Sequence, residues 1–234
     1  MVSVAPDGLL KQKLASWRAG WPSIHFVITL TRGETSMSDP QIPESSSVGR
    51  NFTAGHYCVI GENVHIGDDV SLGNMCVIEK NTTIGDEVEM GHLCIVGEDC
   101  QIGRKTELKS HVELRKATVV GAECYVDSGV KSSGMNRVGD NVTLRYDCII
   151  ARGCDIGDRT YICPQVMTNN VDHHGNEIGG AHVGADAFIG TNVTLGAGLR
   201  IAAKTIVGSK AMVTRDIEEA GVYVGVPATL QRKL

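Results

Sequence analysis

From Val48 onward an aliphatic or similarly apolar residue recurs at every sixth position: Val48, Ala54, Ile60, Ile66, Leu72, Ile78, Ile84, Met90, Val96, Ile102, Leu108, Leu114, Val120 and Val126. The phase runs on through Val138, Leu144, Ile150, Ile156 and Ile162 to Thr168, with one plainly degenerate slot at Ser132. The next residue is often glycine, as at Gly61, Gly67, Gly73, Gly85, Gly91, Gly97 and Gly103. The residue four on is small or β-branched. Neither a helix, with its period of 3.6, nor a hairpin sheet sustains such a phase over residues 48–168.

Each hexapeptide therefore reads as a short strand plus a turn, and three hexapeptides close one triangular coil. The aliphatic side chain points into a narrow interior and stacks on its equivalent one coil away. The fourth position after it also faces inward, near the corners, where only small side chains fit. The glycine either relieves crowding or permits a positive φ at the turn. No coil can bury its apolar face alone, so stability is a sum of neighbour stackings. The fold class is all-β: a left-handed parallel β-helix, a hexapeptide-repeat solenoid, with one protruding loop and a short C-terminal cap. It divides as a leader over 1–47, the β-helix over 48–217 with an insertion at about 169–182, and the cap over 218–234.

Composition agrees with a solenoid. Glycine supplies 28 of 234 residues and aromatics only 4%, without the Gly-X-Y period of collagen. A formal charge of −5 with no long Lys/Arg cluster gives no field for nucleic acid. Seven of the eight cysteines, Cys58, Cys76, Cys94, Cys100, Cys124, Cys148 and Cys154, fall on one inward phase; Cys163 alone is off it. That placement predicts buried small side chains in a reducing compartment, hence a cytoplasmic protein, and not a disulfide framework. The apolar run Ile24–Leu30 in the leader is too short to span a bilayer, and no cleavage pattern follows it. The leader fits either a short helix over Leu9–Trp21 or a start codon assigned too early, with Met37 beginning a polar lead-in to the repeat.

The phase breaks once. After Thr168 comes NNVDHHGNEIGGAH, and the pattern resumes at Val183, Ile189, Leu195, Ile201, Val207 and Val213. The step from 168 to 183 is not a multiple of six, so a polar segment leaves the wall there. Insertions in solenoids map to loops on one face, often the binding face.

Over roughly residues 48–230 the repeat resembles the hexapeptide acyltransferase superfamily. The stretches IGDRTYICPQVMTNNVDHHGNEI and VGADAFIGTNVTLGAGLRIAAKTIVGSKAMVTRDI are similar to the acetyltransferase domain of the bacterial glucosamine-1-phosphate acetyltransferase/uridylyltransferases. PQVMTNN resembles a segment of the nucleotide-sugar N-acetyltransferases, and Val224-Gly225-Val226-Pro227-Ala228 their Gly-Asn-Pro-Ala ending. The Asn-Tyr-Asp loop of the first family reads Asn170-Val171-Asp172 here, and Asp147 stands near where its catalytic histidine aligns. The uridylyltransferase half has no counterpart, and HVELRKA, with Arg115 and Lys116, resembles a basic substrate-binding stretch.

The resemblance implies a homotrimer that binds acetyl-CoA in a groove between adjacent β-helices and takes an amino-sugar or sugar-nucleotide acceptor near the loop. Acetyl transfer needs a base with a pKa near neutrality and a donor for the oxyanion. His173 or His174 is the candidate base, with Glu177 near enough to orient an imidazole, and Asn169 and Asn170 are candidate donors. Against these stand two plainly exposed histidines and ordinary turn asparagines, with Asp147 or Asp127 as carboxylates that hold an amine. For the coenzyme, Gly196, Ala197, Gly198, Ala202 and Ala203 leave room for a pantetheine arm, or simply make tight turns. Lys204, Lys210 and Arg215 are placed for its phosphates.

No metal is expected: the γ-carbonic anhydrase spacing of histidines is not reproduced by His56, His65, His92 and His111. The leading reading is an N-acetyltransferase acting by direct transfer in a ternary complex. A sugar O-acetyltransferase, a γ-carbonic-anhydrase-like enzyme and a non-enzymatic β-helix subunit are the alternatives.

Overall fold

The structure is a computed structural model that describes residues 39–233; the helix expected over 9–21 lies outside the described residues. Three parallel sheets of nine, eleven and nine short strands wind about one axis as a left-handed β-helix of about ten coils. We call them face 1, beginning with Ser47–Val48, face 2, beginning with Thr53–Ala54, and face 3, beginning with Val59–Ile60. Every strand of the regular coils is a dipeptide, and its partner stands three hexapeptides away: Val59 pairs with Val77 and Val77 with Ile95. In each of these strands the second residue points inward, and it is apolar except at Ser132 and Thr168. Ile78, Ile84, Leu108, Leu114, Leu144 and Ile150 are fully buried.

The structure decides what the glycines do. Twenty-two non-glycine residues have φ between 54° and 63°, and each stands third after the aliphatic position, not next to it. The turn's left-handed residue is thus most often Asn or Asp, as at Asn63, Asp69 and Asn141, types that tolerate this region best. The glycine next to the aliphatic residue serves close approach between coils. A Cβ on Gly85 would come within 2.6 Å of the Arg104 backbone nitrogen and 3.0 Å of its Cα, with no flexible atom to give way.

Side chains lace the corners from coil to coil. Asp68, Asn74, Asp86 and His92 each accept the backbone N–H of the equivalent residue one coil earlier, at 2.7–2.9 Å. His92 is therefore a corner acceptor of the same kind as Asn74. The inward cysteines are more than small apolar fillers. Cys58, Cys76, Cys94, Cys124 and Cys148 each donate to a backbone carbonyl of the next coil, at 2.9–3.0 Å. Thr82 and Thr106 do the same at 2.8 Å. Thr205 holds the equivalent slot one coil before the regular winding ends, and its hydroxyl finds no partner among the described residues.

The degenerate slot at Ser132 is a buried polar network. Its hydroxyl lies 2.7 Å from that of Thr118 and accepts from Asn136 Nδ2 at 2.8 Å, while Asn136 Oδ1 accepts the Cys154 N–H at 2.9 Å. Two coils on from Ser132, Thr168 Oγ1 accepts the Ala151 N–H at 2.7 Å. Satisfied polar groups of this kind cost little when buried and fix a unique arrangement. This one lies directly below the root of the insertion. The insertion itself makes one coil half as long again as its neighbours, so that Asp155, whose partner below is Arg137, pairs above with His182. At the C-terminal end, Gly221–Val224 joins face 2 in parallel and pairs antiparallel with Thr229–Lys233.

Two outcomes follow from this packing. Gly85→Ala should lower stability by roughly 1–3 kcal/mol, as overpacking of a rigid site does, read as a shift in the urea midpoint at unchanged slope. Burial pushes the Cys148 thiol up to about 11, so that thiol should resist Ellman's reagent at pH 8 until the chain is unfolded.

Candidate active site

The three faces meet at three corners, and each corner carries its own column of residues next to the aliphatic position. Between faces 1 and 2 the column is nearly pure glycine: Gly49, Gly67, Gly85, Gly103, Gly121, Gly139, Gly157, Gly184, then Ala202. Between faces 2 and 3 it starts as Gly55, Gly73 and Gly91, is replaced over four coils by Lys109, Asp127, Arg145 and Cys163, and returns to Gly190 and Gly208. Between faces 3 and 1 glycine is the exception, and this corner bears the loop. The slot tolerates a side chain at the corner between faces 3 and 1, so what sets Lys109, Asp127, Arg145 and Cys163 apart is that they interrupt a column of glycines over four successive coils.

The loop leaves face 3 after Met167–Thr168 and rejoins face 1 at His182–Val183. It is a small hairpin: Val171 bridges Glu177, and the Ile178 N–H donates to the Asn170 carbonyl at 2.9 Å. Asp172 closes it from within. Its carboxylate accepts the backbone N–H of His174 at 2.8 Å and of Asn176 at 2.9 Å, and the Asn176 side-chain amide at 2.9 Å. Those bonds, led by the Asn176 side chain, hold its carboxyl below the usual range. The hairpin is tied down at both ends, because the Asn169 N–H donates to the Leu195 carbonyl and the Gly198 N–H to that of Gly179.

His173 and His174 sit exposed at the tip, their ring centroids 3.9 Å apart. Among the described residues no side chain hydrogen-bonds either imidazole, so Glu177 does not orient one within a single copy. Asn169 and Asn170 are half-buried at the loop's root. Asp147 is not beside them. It occupies a left-handed turn position, φ 60°, at the corner between faces 2 and 3.

The coenzyme candidates also divide among corners. Gly196, Ala197 and Gly198 lie at the loop's own corner, one coil on, with Arg215 one coil further. Lys210 lies at the corner between faces 2 and 3, with Asp147. Ala202, Ala203 and Lys204 lie at the remaining corner, between faces 1 and 2. The coenzyme candidates are thus spread over all three corners of one copy.

The corner between faces 2 and 3 also holds residues that the six-residue reading passes over. Arg145 Nε donates to Asp127 Oδ2 at 3.0 Å, and its Nη1 donates to the Tyr161 hydroxyl at 2.9 Å. The Asp127 side chain is 14% exposed and that of Arg145 36%. Tyr161 stacks on Phe188, with centroids 5.6 Å apart and planes 13° from parallel. Reading the glycine slot corner by corner, at every third hexapeptide, brings this cluster out. Among the described residues no group of three His, Cys, Asp or Glu is placed to hold a metal ion. Arg115 pairs with Glu113 and Lys116 with Glu98, at 2.7 and 3.0 Å, as solvated wall residues do.

Comparison with known proteins bears on the fold. The family described as the GMPPB C-terminal domain matches residues 39–136, a stretch that ends before the loop. No curated protein matches the chain. Among solved structures, a UDP-N-acetylglucosamine acyltransferase from Arabidopsis superposes with a TM-score of 0.61 at 17% identity, over 82% of this chain and 72% of that one. A UDP-N-acetylglucosamine O-acyltransferase from Moraxella catarrhalis gives 0.56 at 17% identity, over 81% and 73%. A UDP-N-acetylglucosamine acyltransferase from Campylobacter jejuni gives 0.51 at 17%, over 82% and 72%. The chain has the fold of the hexapeptide-repeat left-handed β-helix acyltransferases.

Removing the loop's internal clamp should loosen the hairpin and spare the scaffold. Asp172→Ala is expected to raise amide exchange at residues 174–178 while the unfolding temperature stays put. Because the Asp172 carboxyl is depressed in the folded loop, its contribution is present above the ordinary aspartate pKa. The protection of the same amides, taken relative to the intrinsic exchange rate at each pH, should therefore fall in the unaltered protein as pH falls through the lowered value.

Proposed function

We propose that the chain is an acetyl-CoA-dependent N-acetyltransferase acting on a nucleotide-linked amino sugar, and that it works as a homotrimer in the cytoplasm. The observation that carries this reading is the character of face 3 and its two corners. The outward residues of face 3 are mostly apolar, Val59, Val77, Ile95, Ile149, Met167 and Met212, while those of face 1 include His65, Gln101, Arg137, Asp155 and Arg200. Tyr57, Met75 and Leu93 extend the apolar strip around the edge of face 3 and are exposed in one copy. Glu113 and Lys131 on two successive coils, and Thr194 further on, break the strip, and the apolar stretches on either side of them mark an interaction surface.

Three copies that turn face 3 toward a threefold axis bury that strip and meet at its two edges. The loop of one copy then falls against the corner between faces 2 and 3 of the next, so the loop's corner and the interrupted glycine column bound one cleft. His173, His174, Asn169, Asn170, Gly196, Ala197 and Arg215 come from one side of it, and Asp147 and Lys210 from the other. Ala202, Ala203 and Lys204 stand on the far corner and lose their role toward the coenzyme in this arrangement. Eight unpaired cysteines fit a reducing compartment.

Acetyl-CoA would lie along the cleft as the acyl donor. The acceptor binds as an ammonium beside the Asp147 carboxylate, releases one proton to solvent to become the free amine, and gives a second N–H proton to His173 or His174 as the new C–N bond forms. Its lone pair attacks the thioester carbonyl, and an Asn169 or Asn170 amide N–H stabilises the oxyanion. Collapse breaks the C–S bond, and the departing CoA thiolate takes the proton back from the imidazole. The Asp147 carboxylate beside the cleft favours an amine over a hydroxyl acceptor.

The double variant His173→Ala/His174→Ala should lower kcat by roughly 10²–10⁴, the usual worth of a general base, with the trimer intact on light scattering. Unchanged kcat would remove both histidines from the mechanism. Addition of CoA should raise the unfolding temperature through binding to the native state; no shift at saturating concentration would contradict the coenzyme reading. Ile95→Glu should yield monomers, and an unaltered trimer would show that face 3 points elsewhere.

A further inference from the structure

The cluster on face 2 beside the cleft is built more carefully than a solvated wall requires. Four successive coils carry Lys109, Asp127, Arg145 and Cys163 where the flanking coils carry glycine. Asp127 is fully committed: Oδ1 accepts the Ser128 N–H at 2.8 Å and Oδ2 takes Arg145 Nε. Arg145 is fixed on a second side by the Tyr161 hydroxyl and lies 5.7 Å from the centre of the Tyr146 ring. One edge of its guanidinium, the Nη2 end, keeps its donors free among the described residues. A guanidinium held in this way loses little further freedom when it donates to a ligand. Beside it, the nearly parallel rings of Tyr161 and Phe188 overlap like shingles, and Phe188 is exposed.

Charge decides what such a shelf takes. Arg145 is already met by Asp127, and Lys109 by Glu107 at 2.6 Å. Asp147 at the neighbouring turn leaves the surroundings formally negative. A phosphate gains little there, whereas an uncharged polyhydroxylated ring, or one bearing an ammonium, meets fixed donors, fixed acceptors and an apolar aromatic surface together. We propose that Tyr161, Phe188, Arg145 and Asp127 form the shelf that holds the pyranose ring of the acceptor, against the aromatic rings and under the free edge of the guanidinium. The proposal rests on the acyltransferase reading for the identity of the ring as acceptor, and on the cluster alone for the binding of a sugar. Asp127 is a positioning residue, acting through Arg145.

The test uses the intact full-length protein with D-glucosamine as the probe and inorganic phosphate as the charged competitor, followed by saturation-transfer NMR. Glucosamine should receive saturation at millimolar concentration. Phe188→Ala and Arg145→Met should weaken its binding about five- to tenfold, the scale of one aromatic or one hydrogen-bonded contact. Tyr161→Phe keeps the ring and removes only the bond to Arg145, so it guards against a misfolded variant and should weaken binding by a smaller factor. CoA-induced thermal stabilisation, measured on the same samples, should be unchanged in all three. No transfer to glucosamine, transfer indifferent to the three variants, or displacement of glucosamine by phosphate would each overturn the shelf. Loss of CoA stabilisation in the unaltered protein would instead overturn the acyltransferase reading and leave the sugar result to stand alone.

Discussion

Close approach between successive coils governs this molecule. Adjacent strands in a sheet lie about 4.8 Å apart, and a solenoid must keep that spacing around its corners as well as along its faces. At Gly85 and its equivalents the next coil's backbone occupies the place a Cβ would take. The turn two residues on must then reverse direction through the left-handed region, and Asn or Asp most often does so. Everything else is fitted into the period these two requirements set: the inward aliphatic stack, the thiols donating across coils, and the polar caps at the corners. Any position that departs from the pattern must be accommodated by its neighbours.

The departures therefore carry the functional information. The sequence made the fold legible because the aliphatic period of six is a direct image of the winding. It made the loop legible because the extra residues between Thr168 and Val183 break that period. It left other features hidden for a physical reason. Stacking neighbours are three hexapeptides apart, so a list running hexapeptide by hexapeptide mixes three corners into one column. Read that way, Lys109, Asp127, Arg145 and Cys163 look like scattered exceptions; read by corner, they are one continuous interruption. Ser132 likewise looks degenerate, because a hydroxyl in an apolar slot gives no hint that Thr118 and Asn136 lie against it. The coenzyme candidates are grouped by closeness in sequence, which in a solenoid spreads them over all three corners.

The same geometry explains why the proposed chemistry calls for more than one copy. The wall is rigid, and a single β-helix is convex at every corner. The exposed histidines at the loop tip have no side-chain partner among the described residues, and Asp147 stands one edge of face 3 away. An apolar face bounded by two side-chain-bearing corners is the feature that would turn convex edges into a cleft. The scaffold supplies precision, and the hairpin, clamped by Asp172 and tied to Leu195 and Gly198, supplies a long polar excursion from it.

The most direct test of this account is complementation between two variants that each spoil one side of the cleft. His173→Ala/His174→Ala removes the loop's imidazoles, and Asp147→Lys places a cation where the acceptor's ammonium would bind, in a turn slot that Lys105, Lys204 and Lys210 already show to accept lysine. Each variant alone should be inactive in acetyl transfer from acetyl-CoA. Co-expressed in equal amounts they form mixed trimers, and about a quarter of the clefts would pair an intact loop with an intact corner. Recovery of about a quarter of the unaltered activity is the result the account predicts. Mixed trimers with no activity would mean that the loop and Asp147 do not meet across a subunit boundary, and would contradict it.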